Sequence, residues 1–280
     1  MSQPDITLYG SISVNPWKVA AALELLGVKY EHKMLNTLAG EQKQPEYTKL
    51  NPNGRVPAIV DHKNNNFTLW ESNAILLYLV DRYDTDRKIS AKTEEEKILQ
   101  LQYLFFQASG QGPYFGQWVH FGKWHSEQIP SAIERYIAEI HRVLGVLEDI
   151  LSKSRESWLV GGRFTIADLA FLHWNIIPFN GPGYTGVPGF QFPEIKPGTY
   201  PNVEKWHAKI MSIEPIKKTL DEKETVMQSV PGFQFPEIKP GTYPNVEKWH
   251  AKIMSIEPIK KTLDEKETVM QSMLKKIGEK

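Results

Sequence analysis

The chain is predicted to pair a small α/β domain with a larger all-helical domain, the class α/β plus all-α. Three observations carry this expectation. Strand and helix patterns follow the order β-α-β-α-β-β-α over about the first 85 residues, which describes a compact unit with a mixed sheet. Beyond them no stretch reads convincingly as a strand, while several long stretches carry helical spacing. Between the two lies Asp84–Thr93, charged and polar as an interdomain linker would be.

In the first part, Ile6–Tyr9 is a short apolar strand candidate, followed by a helix from Pro16 to about Leu26 that Gly27 ends. Lys29–Lys33 reads as a second strand and Pro45–Leu50 as a short helix. Ala58–Val60 and Phe67–Leu69 straddle the turn Lys63-Asn64-Asn65-Asn66, a hairpin signal. A helix over Ser72–Tyr83 closes the unit. In the second part, Glu94–Gln107, Ile129–Lys153 and Thr165–Asn175 have helical periodicity. Thr165-Ile166-Ala167-Asp168 has the capping-box pattern, in which a hydroxyl and a carboxylate satisfy the free amides of a helix start.

A 43-residue segment, Val187 through Ser229, recurs without change as residues 230–272. Solenoid repeats need three or more copies with diverged caps, so two identical copies read as a recent duplication or a misassembled gene. Each copy opens with a proline- and glycine-rich loop and continues with helices near Asn202–Met211 and Glu214–Met227 in the first copy. Val203, Trp206 and Ile210 fall on one helical face that needs a host to cover it. One such slot is expected, filled by the first copy because it directly follows the preceding helix. The expected domains are therefore 1–84, 94–229 and a surplus copy at 230–272.

Composition narrows the function. With 280 residues, 41% of them hydrophobic, the chain can bury a sizeable core. Lysine plus arginine and aspartate plus glutamate each number 33, so nothing in the net charge points to nucleic acid or an anionic membrane. The start Met1-Ser2-Gln3-Pro4-Asp5 does not resemble a secretory signal, and no apolar run reaches the ~20 residues of a membrane span. A cytoplasmic location is expected. There is no cysteine, so no protein thiol can take part in chemistry. The eight histidines lack zinc-ligand spacing, and no metal is expected.

Candidate chemistry starts in the loop after the first strand, where Asn15 before Pro16 fits an N-cap followed by a first helical residue. The same geometry favours a bound anion, and Ser13 or Asn15 can donate to a thiolate and lower its pKa from about 8.5. A trans proline at a strand start is the ordinary reading of Val56-Pro57; a cis bond would instead present the Val56 backbone to a peptide-like ligand. Ser72 either caps its helix or sits where a helix start binds a carboxylate. Gly110-Gln111-Gly112-Pro113 lacks the lysine and hydroxyl of a phosphate loop, so its reading is structural. Phe105, Phe106, Tyr114, Phe115 and Trp118 crowd together, as core or as an apolar pocket.

Taken together these residues resemble a family. The run Asn51-Pro52-Asn53-Gly54-Arg55-Val56-Pro57-Ala58, followed by Trp70-Glu71-Ser72-Asn73-Ala74-Ile75, is similar to the thioredoxin-fold domain of glutathione transferases. The stretch Phe105–Gln117, with Ile133-Glu134-Arg135-Tyr136 and Trp158-Leu159-Val160-Gly161 ahead of Thr165–Asp168, resembles the fungal class related to the prion-forming nitrogen catabolite regulator. The resemblance implies a thioredoxin-like domain with a helical domain, and glutathione as co-substrate. It implies that Val56 and Pro57 meet the cysteinyl backbone of glutathione, Glu71 and Ser72 its γ-glutamyl group, and Gln42 and Lys43, with Arg55 nearby, its glycyl carboxylate. Asn15 matches the sulfur-contacting asparagine of this class, Ser13 the serine of neighbouring classes, and Pro16 departs from the glycine that close relatives often carry. Tyr114, Phe115 and Trp118 are the expected hydrophobic-substrate pocket.

Without cysteine, the reacting sulfur must be the ligand's own, which excludes dithiol exchange by the protein. The resemblance thus implies conjugation of glutathione to small hydrophobic electrophiles, with glutathione-dependent peroxidase activity as a companion. The alternative is a non-catalytic glutathione-binding regulator of nitrogen metabolism working through protein partners. A homodimer is expected from the family.

Overall fold

A computed structural model of the protein describes residues 4–180 and 195–229, and these form four strands and nine α-helices. Strands β1 (Ile6–Gly10), β2 (Tyr30–Met34), β3 (Ala58–Asp61) and β4 (Phe67–Trp70) make one sheet in the order β2-β1-β3-β4. β1 runs parallel to β2 and antiparallel to β3, which pairs antiparallel with β4. The inner strands carry the fully buried Ile6, Leu8, Ala58 and Ile59. Edge strand β2 alternates half-buried and exposed residues.

The parallel β1–β2 pair needs a crossover, and helix α1 (Val14–Leu26) supplies it. Its run Trp17–Leu23 is buried throughout, because α1 meets the sheet on one side and helices of the second half on the other. Gly27 ends it in the left-handed conformation at φ 66°, with the amides of Gly27 and Val28 turned back to the carbonyls of Glu24 and Leu23. The helix begins two residues before the expected Pro16. Ser13, extended at φ −65° and ψ 163°, is the N-cap, and Asn15 lies inside the first turn. Pro16 is tolerated there because first-turn amides have no intrahelical partner.

After the short helix α2 (Pro45–Thr48), the β3–β4 connection is a 3₁₀ turn over His62–Asn64, followed by Asn65 and Asn66 at φ 53° and 58°. Asparagine tolerates that left-handed region better than most residues. Helix α3 (Ser72–Tyr83) is tied to the sheet through the buried Asp61, which accepts from the hydroxyls of Tyr78 at 2.6 Å and Tyr83 at 2.7 Å. Its N-cap is Glu71, at φ 72°, so Ser72 is the first helical residue rather than the cap.

The segment 84–93 is anchored rather than loose. Asp84 accepts from the amides of Lys88 and Ile89, and Arg163 bridges the Ser90 carbonyl and the Glu96 carboxylate. Helix α4 (Glu94–Phe106) then runs through a π turn at Gln107–Gln111 into α5 (Gly112–Val119) and a second π turn at His120–Trp124. The Gly110–Pro113 run is thus helical. Pro113 has no amide to donate and its ring crowds the preceding turn, which the wider π turn accommodates.

Helix α6 (Pro130–Lys153) buries Ile140, Val143, Leu144, Leu147 and Leu151 along one stripe. Helix α7 (Ile166–Asn180) opens on the expected capping box: Asp168 accepts from the Thr165 amide at 2.9 Å and Thr165 Oγ1 from the Ala167 amide at 3.2 Å. The first copy of the repeat supplies α8 (Pro201–Met211) and α9 (Glu214–Ser229). Val203, Trp206 and Ile210 are all fully buried, and the Trp206 indole donates to Asp168 at 2.9 Å. Burial pushes the Asp168 carboxyl up to about 6, against the donors from Leu159, Trp206 and Thr165. Helix α9 packs on α1 and joins it through Lys218 and Glu24 at 2.8 Å. The second copy, 230–272, lies outside the described residues.

Candidate functional site

A cavity of about 570 Å³ opens where the sheet's loops meet the helical half. Its first wall is the loop 51–57. The Arg55 carbonyl accepts from both Tyr47 Oη and Asn51 Nδ2, each at 2.6 Å, and the Asn53 amide bonds Asn51 Oδ1 at 3.0 Å. The chain turns at Gly54 with φ 59°, where a Cβ would lie 3.0 Å from the Gln42 carbonyl, so any side chain there is strained. This turn delivers Arg55, half-buried Val56 and Pro57 to the cavity, and the Val56–Pro57 bond is cis. No described hydrogen bond engages the Val56 amide.

The second wall is made of two helix starts. Asn15 on α1 and Ser72 and Asn73 on α3 line the cavity together with Glu71. First-turn amides and the positive ends of both helices favour negative charge at this place. Beneath them lies Lys18, whose Nζ donates to Asn73 Oδ1 at 2.8 Å and Gln107 Oε1 at 3.1 Å. Burial drives this ammonium down to about 7, with nearby Glu71 opposing the shift. The cavity thus sets Arg55 and two helix starts, with the Lys18 amine beneath them, against the carboxylate of Glu71, which suits a ligand bearing carboxylates and one ammonium group.

The third wall belongs to the helical half: Gln107 and Ala108 in the first π turn, Gly112, Pro113, Gly116 and Gln117 along α5, His120 at the start of the second π turn, and Trp174 on α7. The Trp174 indole donates to Asn15 Oδ1 at 3.1 Å. An indole nitrogen only donates, so the asparagine oxygen must face it, and both Asn15 amide protons remain without a partner among the described residues.

Of the residues singled out from sequence, Asn15, Arg55, Val56, Pro57, Glu71 and Ser72 come together on this cavity. Ser13 does not line it; its hydroxyl pairs with that of buried Ser11 at 2.8 Å. Gln42 and Lys43 sit behind the loop, bonded to the carbonyls of Thr37 and Asn53. The aromatic pocket expected from Tyr114, Phe115 and Trp118 is not on this cavity. Phe115 and Trp118 are 0% and 2% exposed in the helical core, and Tyr114 packs against Tyr136. The phase of α5 decides this, because its Gly112, Pro113, Gly116 and Gln117 side faces the cavity and Phe115 and Trp118 fall on the other. Sequence reasoning missed Lys18, Asn51, Gln107, His120 and Trp174, and assigned Asn73 no role of its own. A lysine inside an otherwise apolar helical run was the one available signal, for Lys18 alone. Among the described residues no helix is long and apolar enough to cross a membrane, and no His, Asp and Glu cluster would hold a metal.

Comparison with known proteins agrees with this geometry. Residues 4–81 match the model of the glutathione S-transferase N-terminal domain, and residues 126–223 that of the C-terminal domain. Glutathione S-transferase 2 of Schizosaccharomyces pombe is 49% identical over 214 residues, covering 74% of this chain and 91% of that protein. The crystal structure of the glutathione transferase URE2P6 from Phanerochaete chrysosporium in complex with oxidized glutathione superposes with a TM-score of 0.72 at 48% identity, covering 80% of this chain and 98% of that one. Ure2p5 of the same fungus, cocrystallized with 1-(S-glutathionyl)-2,4-dinitrobenzene, superposes with a TM-score of 0.71 at 40% identity, covering 82% and 99%.

Proposed function

The chain belongs to the glutathione S-transferase family, and on that premise we propose how it conjugates glutathione to electrophiles. The Asn15 amide donates to the glutathione sulfur and holds it as thiolate near neutral pH. The observation that carries this reading is the Trp174–Asn15 bond, which turns the acceptor end of the amide away and leaves its two protons for a ligand. Ser13, exposed and paired with Ser11, is the weaker candidate.

Glutathione fits the remaining groups by its chemistry. Its cysteinyl backbone lies along Val56 and Pro57, where an amide stands uncommitted. The γ-glutamyl carboxylate takes the start of α3 at Ser72, and its ammonium takes Glu71. The glycyl carboxylate lies toward Arg55, with Lys43 and Gln42 behind the loop able to reach it only by rotating. A thiolate has lost its proton before bond formation, so the protein's remaining task is to hold the electrophile beside it. The electrophile rests against Pro113, Gly116 and Trp174, a wall with fewer aromatic rings than the cluster would have made. The same thiolate can attack a peroxide oxygen, breaking the O–O bond to release an alcohol protonated by solvent. A second glutathione then converts the glutathione sulfenic acid to the disulfide and water, since the chain has no cysteine to do so. A homodimer is supported by the apolar side chains left exposed on β4 and α4: Phe67, Trp70, Ile98 and Phe105.

The test follows the ultraviolet absorbance of bound glutathione thiolate against pH in the unsubstituted protein, Ser13→Ala and Asn15→Ala. Asn15→Ala is expected to raise the bound thiol's pKa and to lower kcat/KM at neutral pH by about 10- to 100-fold, the worth of a hydrogen bond to a charged group. A loss confined to Ser13→Ala would transfer the role. Glutathione bound without any thiolate signal would favour the non-catalytic regulator.

A further inference from the structure

We propose that Trp174 is a positioning residue for thiolate formation: its indole N–H fixes which end of the Asn15 amide faces the ligand, so that the helical half sets the acidity of a sulfur bound to the other half. The inference rests on Asn15 being the thiolate donor.

An unrestrained asparagine side chain rotates between two poses of nearly equal shape, one offering NH₂ to the cavity and the other C=O. The carbonyl pose would repel a thiolate. The Trp174 N–H, 3.1 Å from Asn15 Oδ1, stabilises the donor pose alone. The two residues are 159 positions apart, so no local propensity can supply this restraint.

The indole is itself held in place from three sides. Its ring meets buried Phe115 edge-on at 6.5 Å between centroids. Gly112 and Gly116 clear the space it occupies: a Cβ at Gly116 would lie 3.4 Å from Trp174 Cη2, and one at Gly112 3.6 Å from its Nε1. A Cβ at either glycine would stand in van der Waals contact with the ring, so the two leave it little room to move. The next residue, Asn175, is fully buried and accepts from Gln111 Nε2 at 2.7 Å, while the Phe171 carbonyl accepts from the same amide at 3.3 Å. Gln107 donates to Gln111 at 3.3 Å and accepts from Lys18 at 3.1 Å, which joins the frame back to α1, the helix bearing Asn15. The indole thus hangs from a fixed stretch of α7, and it can orient a side chain because it cannot follow it.

The experiment is a double-mutant cycle on the pKa of bound glutathione, read from thiolate absorbance with no electrophile present. Trp174→Phe keeps an aromatic ring but removes the donor; if it does not fold, Trp174→Tyr serves. The expected result is a rise of about one pH unit in Trp174→Phe, a similar or larger rise in Asn15→Ala, and no further rise when the two are combined. In Trp174→Phe, turnover should recover at a pH above the raised value, with KM for glutathione little changed. The charged and titratable groups facing the site are Lys18 from α1, Arg55 from the loop, Glu71 at the start of α3 and His120 from the second π turn, and none of the four is substituted in any arm. If Asn15→Ala leaves the pKa unmoved, the thiolate-donor reading fails and this inference with it. If Asn15→Ala moves it but Trp174→Phe does not, or the two shifts add, Trp174 does not position Asn15 while the donor reading stands.

Discussion

The loop that leads into Pro57 and the helical wall opposite it line one cavity but are held by different means. The loop is a local construction: Tyr47, Asn51 and Asn53 lie within eight residues of Arg55, and their hydrogen bonds close on it and on one another. The wall is assembled at a distance. Lys18 and Gln107 are 89 positions apart, and Asn15 and Trp174 are 159 apart. A change in the loop should therefore disturb one binding subsite, whereas a change in the wall should reach the stability of the whole protein.

The largest expected effect lies in the core of the helical half. Trp206→Ala empties a fully buried site and strands an acceptor on Asp168, so a loss of about 3–5 kcal/mol in unfolding free energy is expected from urea titration. Deleting residues 230–272 should by contrast leave stability and turnover nearly unchanged. If Trp206→Ala is much milder, and becomes severe only when Trp249 is replaced as well, the second copy can take the place of the first.

Next comes Lys18→Met, which removes the donor to Asn73 Oδ1 at 2.8 Å and should cost about 1–3 kcal/mol. It also tests a pH dependence. Burial holds the folded lysine down to about 7, against an ordinary value of 10.5. Between those values the unfolded chain holds a proton that the folded protein has released, so stability rises with pH from about 7 toward 10. Lys223, pushed down to about 8 by burial, adds to the same slope. Lys18→Met should flatten it in part, seen as urea midpoints at pH 7 and pH 9 that move closer together; an unchanged slope would mean that Lys18 does not titrate there.

The smallest change expected is Gly54→Ala. The position has φ 59°, and its new Cβ would press on Lys43 Nζ at 2.9 Å and the Gln42 carbonyl at 3.0 Å. A cost of about 1–2 kcal/mol is expected, appearing as a raised KM for glutathione with kcat preserved. A fall in kcat of the same size would show that the loop and the wall are coupled.

This contrast also explains what could be read from the sequence. The hairpin through Asn65 and Asn66 carries its geometry in short-range residue chemistry and was legible, whereas at Val56–Pro57 the ordinary reading was a trans bond and the structure has a cis one. The start of α1 was misread by two residues, because Ser13 and Asn15 are both good capping residues and Pro16 fits either register. The aromatic cluster could be recognised as a cluster, but not which way it faced. That depends on the π turn at Gln107–Gln111, which resets the phase of α5 by an amount the spacing of Phe115 and Trp118 cannot show.

The sequence by itself determined the order of elements over the first 85 residues, the stop of α1 at Gly27, the capping box at Thr165–Asp168 and the burial of the Val203, Trp206 and Ile210 face. Each depends on contacts within a turn or two, or on a periodicity that water enforces directly. Only the tertiary structure decided that Lys18 is buried beneath the cavity, that α5 turns its glycines and not its aromatics to the ligand, and that Trp174 reaches Asn15. Those outcomes require segments far apart in the chain to meet at hydrogen-bonding distance, and no local preference specifies where two such segments will cross.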